Sequence, residues 1–385
     1  MMTHRDAYFS VVAGKKPRNM PFVPDITDWY NGRHTPTGEA RIHGPGCYIP
    51  DDDSVKDYDG TIPAQYRKWS LLDFYRNFEW GFHAHIYDWG ETKYHNGIEE
   101  VVIQGKNEYD VEIRTPQATL SRKYRLAADG SWCPTERYVK SKNDFVLLIA
   151  AVASQYFTPK HDYVASILKG VGAQGQVDIS LHRSPFGKLV HEYLGFENTV
   201  YALMDYPEWI DEYLEIQTEK DLEVVSLACA SPARLVYLCD HADETLISPA
   251  WYKRFCIPYY QKAVNMLHQH GKIVSTHLDG NFKGIFPMLH ETRFDVLDGC
   301  TPAPMFNYEI EELAAALPEG MYVFIGVPAT LFCQQLPTKE LLKYAERIIT
   351  SFQGRAIINV GDILPPNGDI QQVIELGEYV KSTYQ

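Results

Sequence analysis

The sequence predicts a (β/α)8 TIM barrel, and three observations predict it. From Leu203 onward, short apolar β-branched segments alternate with longer amphipathic ones, the pattern of βαβ units around a parallel sheet. The first half adds three more strand-like segments to the five of the second half. Ionisable residues gather at the C-terminal ends of the late strands, where barrels of this kind build their sites. Insertions often carry such barrels past the usual domain size, so residues 1–385 are expected to form one domain.

Taken in order, Met20–Asp25 (MPFVPD) reads as the first strand, behind a short N-terminal extension. Residues 32–66, rich in Gly, Pro and Asp, read as an irregular loop. A helix over Leu71–Ala84 leads to a strand at His85–Trp89. Between Gly97 and Lys140 the period changes to two, around turn signals such as Asp129-Gly130. This 97–140 stretch predicts an antiparallel β insertion over one barrel mouth, either a lid or a decorative or oligomer-forming extension. Gln176–Leu181 is the next strand, followed by Arg234–His241, Lys272–Asp279, Val296–Pro302, Tyr322–Val327 and Ala356–Asp362. Ser248-Pro249 opens an intervening helix as N-cap and first residue, where proline lacks nothing. A second helix runs from Thr338 to about Phe352 and stops at Gly354, and the last spans about Asp369 to Ser382.

Composition excludes several functions. The net charge is -14 with no Lys/Arg-rich run, so the basic footprint of a nucleic-acid or anionic-membrane binder is missing. The seven cysteines are widely spaced with no CxxC pair, which fits neither a disulfide framework nor a cysteine-only zinc site. The opening MMTHRDAYFS has no apolar signal core, and no run of about 20 apolar residues spans a bilayer, so a cytoplasmic location is expected. There is no GxSxG for a serine hydrolase, and Gly170, Gly172 and Gly175 form no GxGxxG.

The strand ends give the candidate site. His277 and Asp279 share a face of an extended strand, and Asp362 ends the last one. Together they form either a three-ligand divalent-metal site or a metal-free polar layer at the rim. Asp240 and His241 are candidates for general acid and base. As neighbours on a strand they face opposite ways, and Asp240 is the one expected to face the pocket, unless either caps the following helix. Asp25, Asp88, Arg183 and Cys300 are expected to contact substrate. His268 and His270 are explained by the end of a helix dipole.

These residues resemble the uroporphyrinogen decarboxylase superfamily. The opening Gly14-Lys15-Lys16-Pro17-Arg18-Asn19-Met20-Pro21 behind Arg5, the Ser184-Pro185-Phe186-Gly187 segment, the helix from Ile247-Ser248-Pro249 to Ile257-Pro258-Tyr259, the turn His277-Leu278-Asp279-Gly280-Asn281 and the closing Ile357–Pro366 are similar to its motifs. The resemblance implies a barrel fold, a small-molecule substrate and a homodimer. Its cobalamin-linked methyltransferase branch holds zinc through a histidine, matched by His277, and two cysteines, at or near which Asp279 and Asp362 stand. That branch implies methyl transfer from a methylated, for instance methoxylated aromatic, compound to a corrinoid carried by a partner protein. The alternative is a cofactor-free decarboxylase. Against it, FVPDITDWYNGR stands where the true decarboxylase has an RQAGR-like motif, leaving Arg33, Arg41, Arg183 and Lys188 as unmatched cations. A third reading is a non-catalytic ligand-binding barrel.

Overall fold

The computed structural model describes residues 2–15, 21–34, 60–128, 130–334 and 336–383. Arg41, His43, Cys47, Asp129, the stretch 16–20 and most of the expected 32–66 loop lie outside the described residues, as does the side chain of His34.

Seven parallel strands form the main sheet in the order β1 (Phe82–Ile86), β8 (Gly175–Leu181), β9 (Leu235–Leu238), β10 (Ile273–His277), β11 (Val296–Cys300), β12 (Tyr322–Pro328) and β13 (Ala356–Gly361). All five late strands fall within or beside their expected ranges. Alternation divides each strand between two surroundings. In β9, Val236 and Leu238 pack into the large apolar core beneath the helices, while Leu235 joins a separate inner cluster. The sheet is curled: His83 on β1 lies 5.6 Å, ring to ring, from Phe324 on β12, almost the full width of the sheet away in strand order.

The expected first strand is reduced to a fragment. Phe22 makes one parallel bridge to Ile358. Val23 N–H donates to the Ile358 carbonyl at 2.8 Å, and Gly81 N–H donates to the Phe22 carbonyl at 2.9 Å. Prolines at 21 and 24 lack the donors that a longer strand would need. The segment thus touches both outer strands of the sheet, β13 directly and β1 just ahead of its start.

The N-terminal extension is a helix, His4–Val12, capped by Thr3 and Asp6 in a reciprocal box. Its Tyr8 and Val11 enter the inner cluster with Leu235, Val296, Tyr322 and Ile357, residues at or near the starts of their strands. The helix therefore seals the N-terminal end of the curled sheet.

The helix expected over Leu71–Ala84 is shorter than the pattern suggested. It spans Leu71–Asn77, because Glu79 takes a positive φ of 55° and turns the chain out of the helix. The strand that follows starts at Phe82, so the expected His85–Trp89 is displaced toward the N-terminus.

The insertion is antiparallel, as expected. β3 (Glu99–Gln104), β4 (Glu108–Arg114), β5 (Thr119–Leu126) and β6 (Trp132–Glu136) pair in sequence order. A second, unexpected sheet pairs β2 (Gly90–Tyr94) with β7 (Gln155–Pro159) and braces the insertion on both flanks. Among the described residues, no helix is long and apolar enough to cross a membrane.

Candidate functional site

Inward-facing side chains of the curled sheet line a cavity of about 670 Å³. Its walls carry His83, His85, Tyr237, Asp298, Phe324 and Asn359, with Cys239, His241, His277 and Asp362 toward the strand ends. Asp25 and Tyr75 add to the wall from outside the sheet, and Ser131 reaches it from the β5–β6 hairpin of the insertion.

Four side chains meet at the rim. His277 closes β10, and its Nε2 stands 3.9 Å from Asp362 Oδ2. His241 Nδ1 stands 3.7 Å from Asp279 Oδ2, and the His241 and His277 rings meet edge-on at 4.7 Å. His241, His277 and Asp279 each offer one donor atom within 4.8 Å of the others. Of the expected set, His277 and Asp279 share a donor cluster, but its third member is His241; Asp362 stands beside His277 outside it. Burial, reinforced by the neighbouring His241, pushes the His277 imidazole down to about 3, so it is neutral at ordinary pH. Its Nδ1 is buried without a hydrogen-bond partner among the described residues. Burial and the nearby carboxylates of Asp279, Asp298 and Asp25 hold the Asp362 carboxyl well above the usual range.

A second cluster at the cavity floor was not anticipated. β1 and β8 pair in parallel, with His85 opposite Asp178. Asp178 Oδ2 lies 2.8 Å from His83 Nε2 and 2.8 Å from His85 Nδ1. These three again offer donors within 4.8 Å of one another. Burial alone would raise Asp178, but the two imidazoles overcome it and hold the carboxylate at about 2. Burial pulls the other way on His85, yet Asp178 and then Asp298 and Asp25 raise it to about 9. The signal was present in the sequence: FHAHI alternates with period two and sets two histidines on one face. Extending the preceding helix through Ala84 concealed it.

The expectation for Asp240 and His241 is reversed. His241 faces the cavity, while Asp240 points into the helix layer. There it accepts from Ser184 N–H at 3.1 Å and from the Tyr260 hydroxyl, and Gly187 fits against it because any Cβ would lie 2.2 Å from its Oδ1. Asp240 thus binds the Ser184-Pro185 turn to the helix Ile257–Gln269. The odd-even alternation of β9 decides the matter, since Tyr237, Cys239 and His241 share the inner face.

Of the four expected substrate contacts, only Asp25 lines the cavity. Its Oδ1 accepts from Thr27 N–H and hydroxyl at 2.8 and 2.6 Å, and burial raises its carboxyl. Asp88 is exposed beyond the end of β1, because the strand stops at Ile86. Arg183 turns to the Cys239 carbonyl at 3.2 Å and to Glu192. Cys300 is packed in the core outside the sheet, since Gly299 with φ 73° and a register shift turn the strand there. Asp298 faces the cavity instead. The remaining described cations are also engaged elsewhere: Lys188 pairs with buried Asp221 at 2.5 Å, and Arg33 bonds the Trp29 and Pro366 carbonyls. His191, on the π-helical turn Leu189–Tyr193, stands 6.4 Å from His241, and burial with Arg183 lowers it to about 4.

A family model described as uroporphyrinogen decarboxylase (URO-D) matches residues 161–383. Among solved structures, a methyltransferase from Methanosarcina mazei is similar with a TM-score of 0.61 and 11% identity, over 100% of each chain. A B12-independent methionine synthase from Shewanella sp. W3-18-1, in complex with selenomethionine, gives a TM-score of 0.45 and 10% identity over 95% of each chain. At such identities the likeness to the first concerns the fold alone. No curated protein matches the chain.

Proposed function

The chain belongs to the uroporphyrinogen decarboxylase family, and from that premise we propose that it is a cytoplasmic methyltransferase acting on a methylated small molecule. The methyl group passes to a corrinoid carried by a separate protein, as the resemblance to the cobalamin-linked branch implies. The observation that carries this reading is the meeting of His241, His277 and Asp279 at the strand ends above a large cavity.

The donor set fits a divalent ion, zinc first. A metal-ligating imidazole must be neutral, and burial keeps His277 so. Desolvation and then the neighbouring carboxylates, Asp279 first, raise Asp362, a crowding of acidic groups that a dication offsets. When bound, such an ion supplies Lewis-acid polarisation of the heteroatom that gives up its methyl group. His241 and Asp279 stand 3.7 Å apart beside His277, and Asp362 Oδ2 is placed to hand a proton to the departing heteroatom. Tyr75, Tyr237 and Phe324 offer flat apolar walls for an aromatic ring, and the cavity volume is that of a typical small-ligand site.

Three further readings belong to the same proposal. The Pro21–Pro24 segment takes the eighth position of the barrel, bonded to β13 on one side and to Gly81 on the other. The β insertion acts as a lid through the hairpin that carries Ser131. Decarboxylation of a polycarboxylate is the weaker reading, because Asp25, Asp28, Asp298 and Asp362 line the cavity and no arginine or lysine does so among the described residues.

The test is metal analysis of protein purified without chelator, coupled to methylation of free cob(I)alamin by a panel of methoxylated aromatics. Bound zinc that is lost in His277→Ala, with methyl transfer lost alongside it, is expected. Metal-free protein that turns over a porphyrinogen would falsify the assignment.

A further inference from the structure

The proposed methyl transfer makes no use of the floor cluster. Asp178 Oδ2 lies 2.8 Å from the nitrogens of both His83 and His85, and the three donor atoms come from two adjacent paired strands. Yet the contacts are not those of a completed hydrogen-bond network. His83 Nε2 is aligned for a hydrogen bond to Oδ2. Among the described residues, His85 Nδ1, at the same distance, has no aligned partner, and Asp178 Oδ1 is buried with none. Further along the inner face of β8, both amide atoms of Gln176 and the Ser180 hydroxyl are also buried without partners among the described residues. Branched apolar side chains usually fill a barrel interior at this depth, and polar atoms buried without partners are costly. This row of unsatisfied groups therefore points to an occupant.

The donor chemistry indicates which occupant. Two imidazole nitrogens and one carboxylate oxygen suit a divalent transition ion, whereas magnesium and calcium prefer all-oxygen shells. Access exists, since both histidines line the cavity. We propose that His83, His85 and Asp178 form a second divalent-metal site at the floor of the cavity, separate from the donors at its rim. Both histidines border the cavity, so a ligand bound there would lie between this site and the rim donors. A tetrahedral ion with bonds of about 2.0–2.1 Å keeps its donors about 3.3 Å apart, so on loading Asp178 withdraws from each ring by about half an ångström.

The test uses the full chain, stripped with chelator, titrated with Co²⁺ and assayed for retained metal after desalting. The wild type is expected to retain about two equivalents, His277→Ala about one, His85→Gln about one and the double variant none. Equal retention by wild type and His85→Gln overturns the proposal. A single equivalent lost in His277→Ala leaves the rim reading standing and this one overturned. A single equivalent lost only in His85→Gln does the reverse, and no uptake by any protein overturns both. Should His85→Gln fail to fold, wild-type crystals grown with Co²⁺ decide: an anomalous peak within about 2.3 Å of both His83 Nε2 and His85 Nδ1 supports the floor site, and its absence overturns it.

Discussion

The rim and the floor of the cavity are both built from histidines and carboxylates, but they are held in different ways. At the rim, Asp279, Asp362 and His241 keep about a third of their side-chain surface exposed, at 32%, 36% and 37%. Asp279, His241 and Asp362 all lie just past the ends of their strands. At the floor, Asp178 is fully buried, and its strand pairs with β1 on one side and β9 on the other. Charged groups on strand ends can be rearranged by a ligand at little cost to the fold. A buried charge between two paired strands cannot be left without its partners. The comparison teaches that the rim should govern chemistry and the floor should govern stability as well.

The floor carries the largest expected effect. Asp178→Asn leaves His83 and His85 buried without their shared carboxylate, and the unfolding free energy should fall by about 3–5 kcal/mol. Urea titration in the presence of chelator measures this apart from any metal contribution. A loss below about 1 kcal/mol would erase the contrast between the two clusters. Next comes His277→Ala, which should lower methyl-transfer turnover on the order of 10³-fold. Its unfolding free energy should move by no more than about 1–2 kcal/mol, since the ring already borders an open cavity. A variant destabilised by about 3 kcal/mol or more that keeps its turnover while folded would reverse the two roles.

The same division explains what could be read from the sequence. The late strands stand out because each βα unit is regular, and their ends set His277 beside both Asp279 and Asp362, while the third clustered donor, His241, needed the structure. The floor depends on β1, whose start is fixed by Glu79 in a left-handed turn and by a backbone bond from Gly81 to Phe22, neither of which leaves a periodic signal. Extending the preceding helix from Asn77 to Ala84 hid His83 and displaced Asp88 into an expected site that it does not occupy. Asp240 failed for another reason. Choosing between two neighbours on a strand needs the phase of the whole strand, and placing Tyr237 on the inner face supplies it.

Asp240 therefore provides a third, intermediate test. It lies behind the rim, fully buried, receiving bonds from Ser184 N–H and the Tyr260 hydroxyl. Asp240→Asn should cost about 1.5–3 kcal/mol of stability, the usual value for hydrogen bonds to a charged group. Turnover at saturating substrate should stay within a few fold, because the side chain does not reach the cavity. A thermal melt alongside steady-state kinetics separates the outcomes. A fall in turnover comparable to that of His277→Ala would restore Asp240 to the role first expected of it.

The smallest effect lies outside both clusters and calibrates them. His268 Nε2 lies 2.8 Å from Asp295 Oδ2, and that hydrogen bond, against partial burial, raises the imidazole above its ordinary value. The sign follows from linkage. A histidine raised in the folded state contributes stability that is fully present below its unfolded value near 6.5 and is lost as pH rises through the folded value. With the pair partly open to solvent, at 37% and 29% of side-chain surface, screening limits the contribution to a few tenths of a kcal/mol. His268→Gln should lower the melting temperature by about 1 °C at pH 5.5–6 and by less at pH 9. The opposite trend would mean that the helix end and Asp295 do not favour the charged ring. It would also weaken the argument that Asp178, at the same 2.8 Å distance in deeper burial, raises the His85 imidazole.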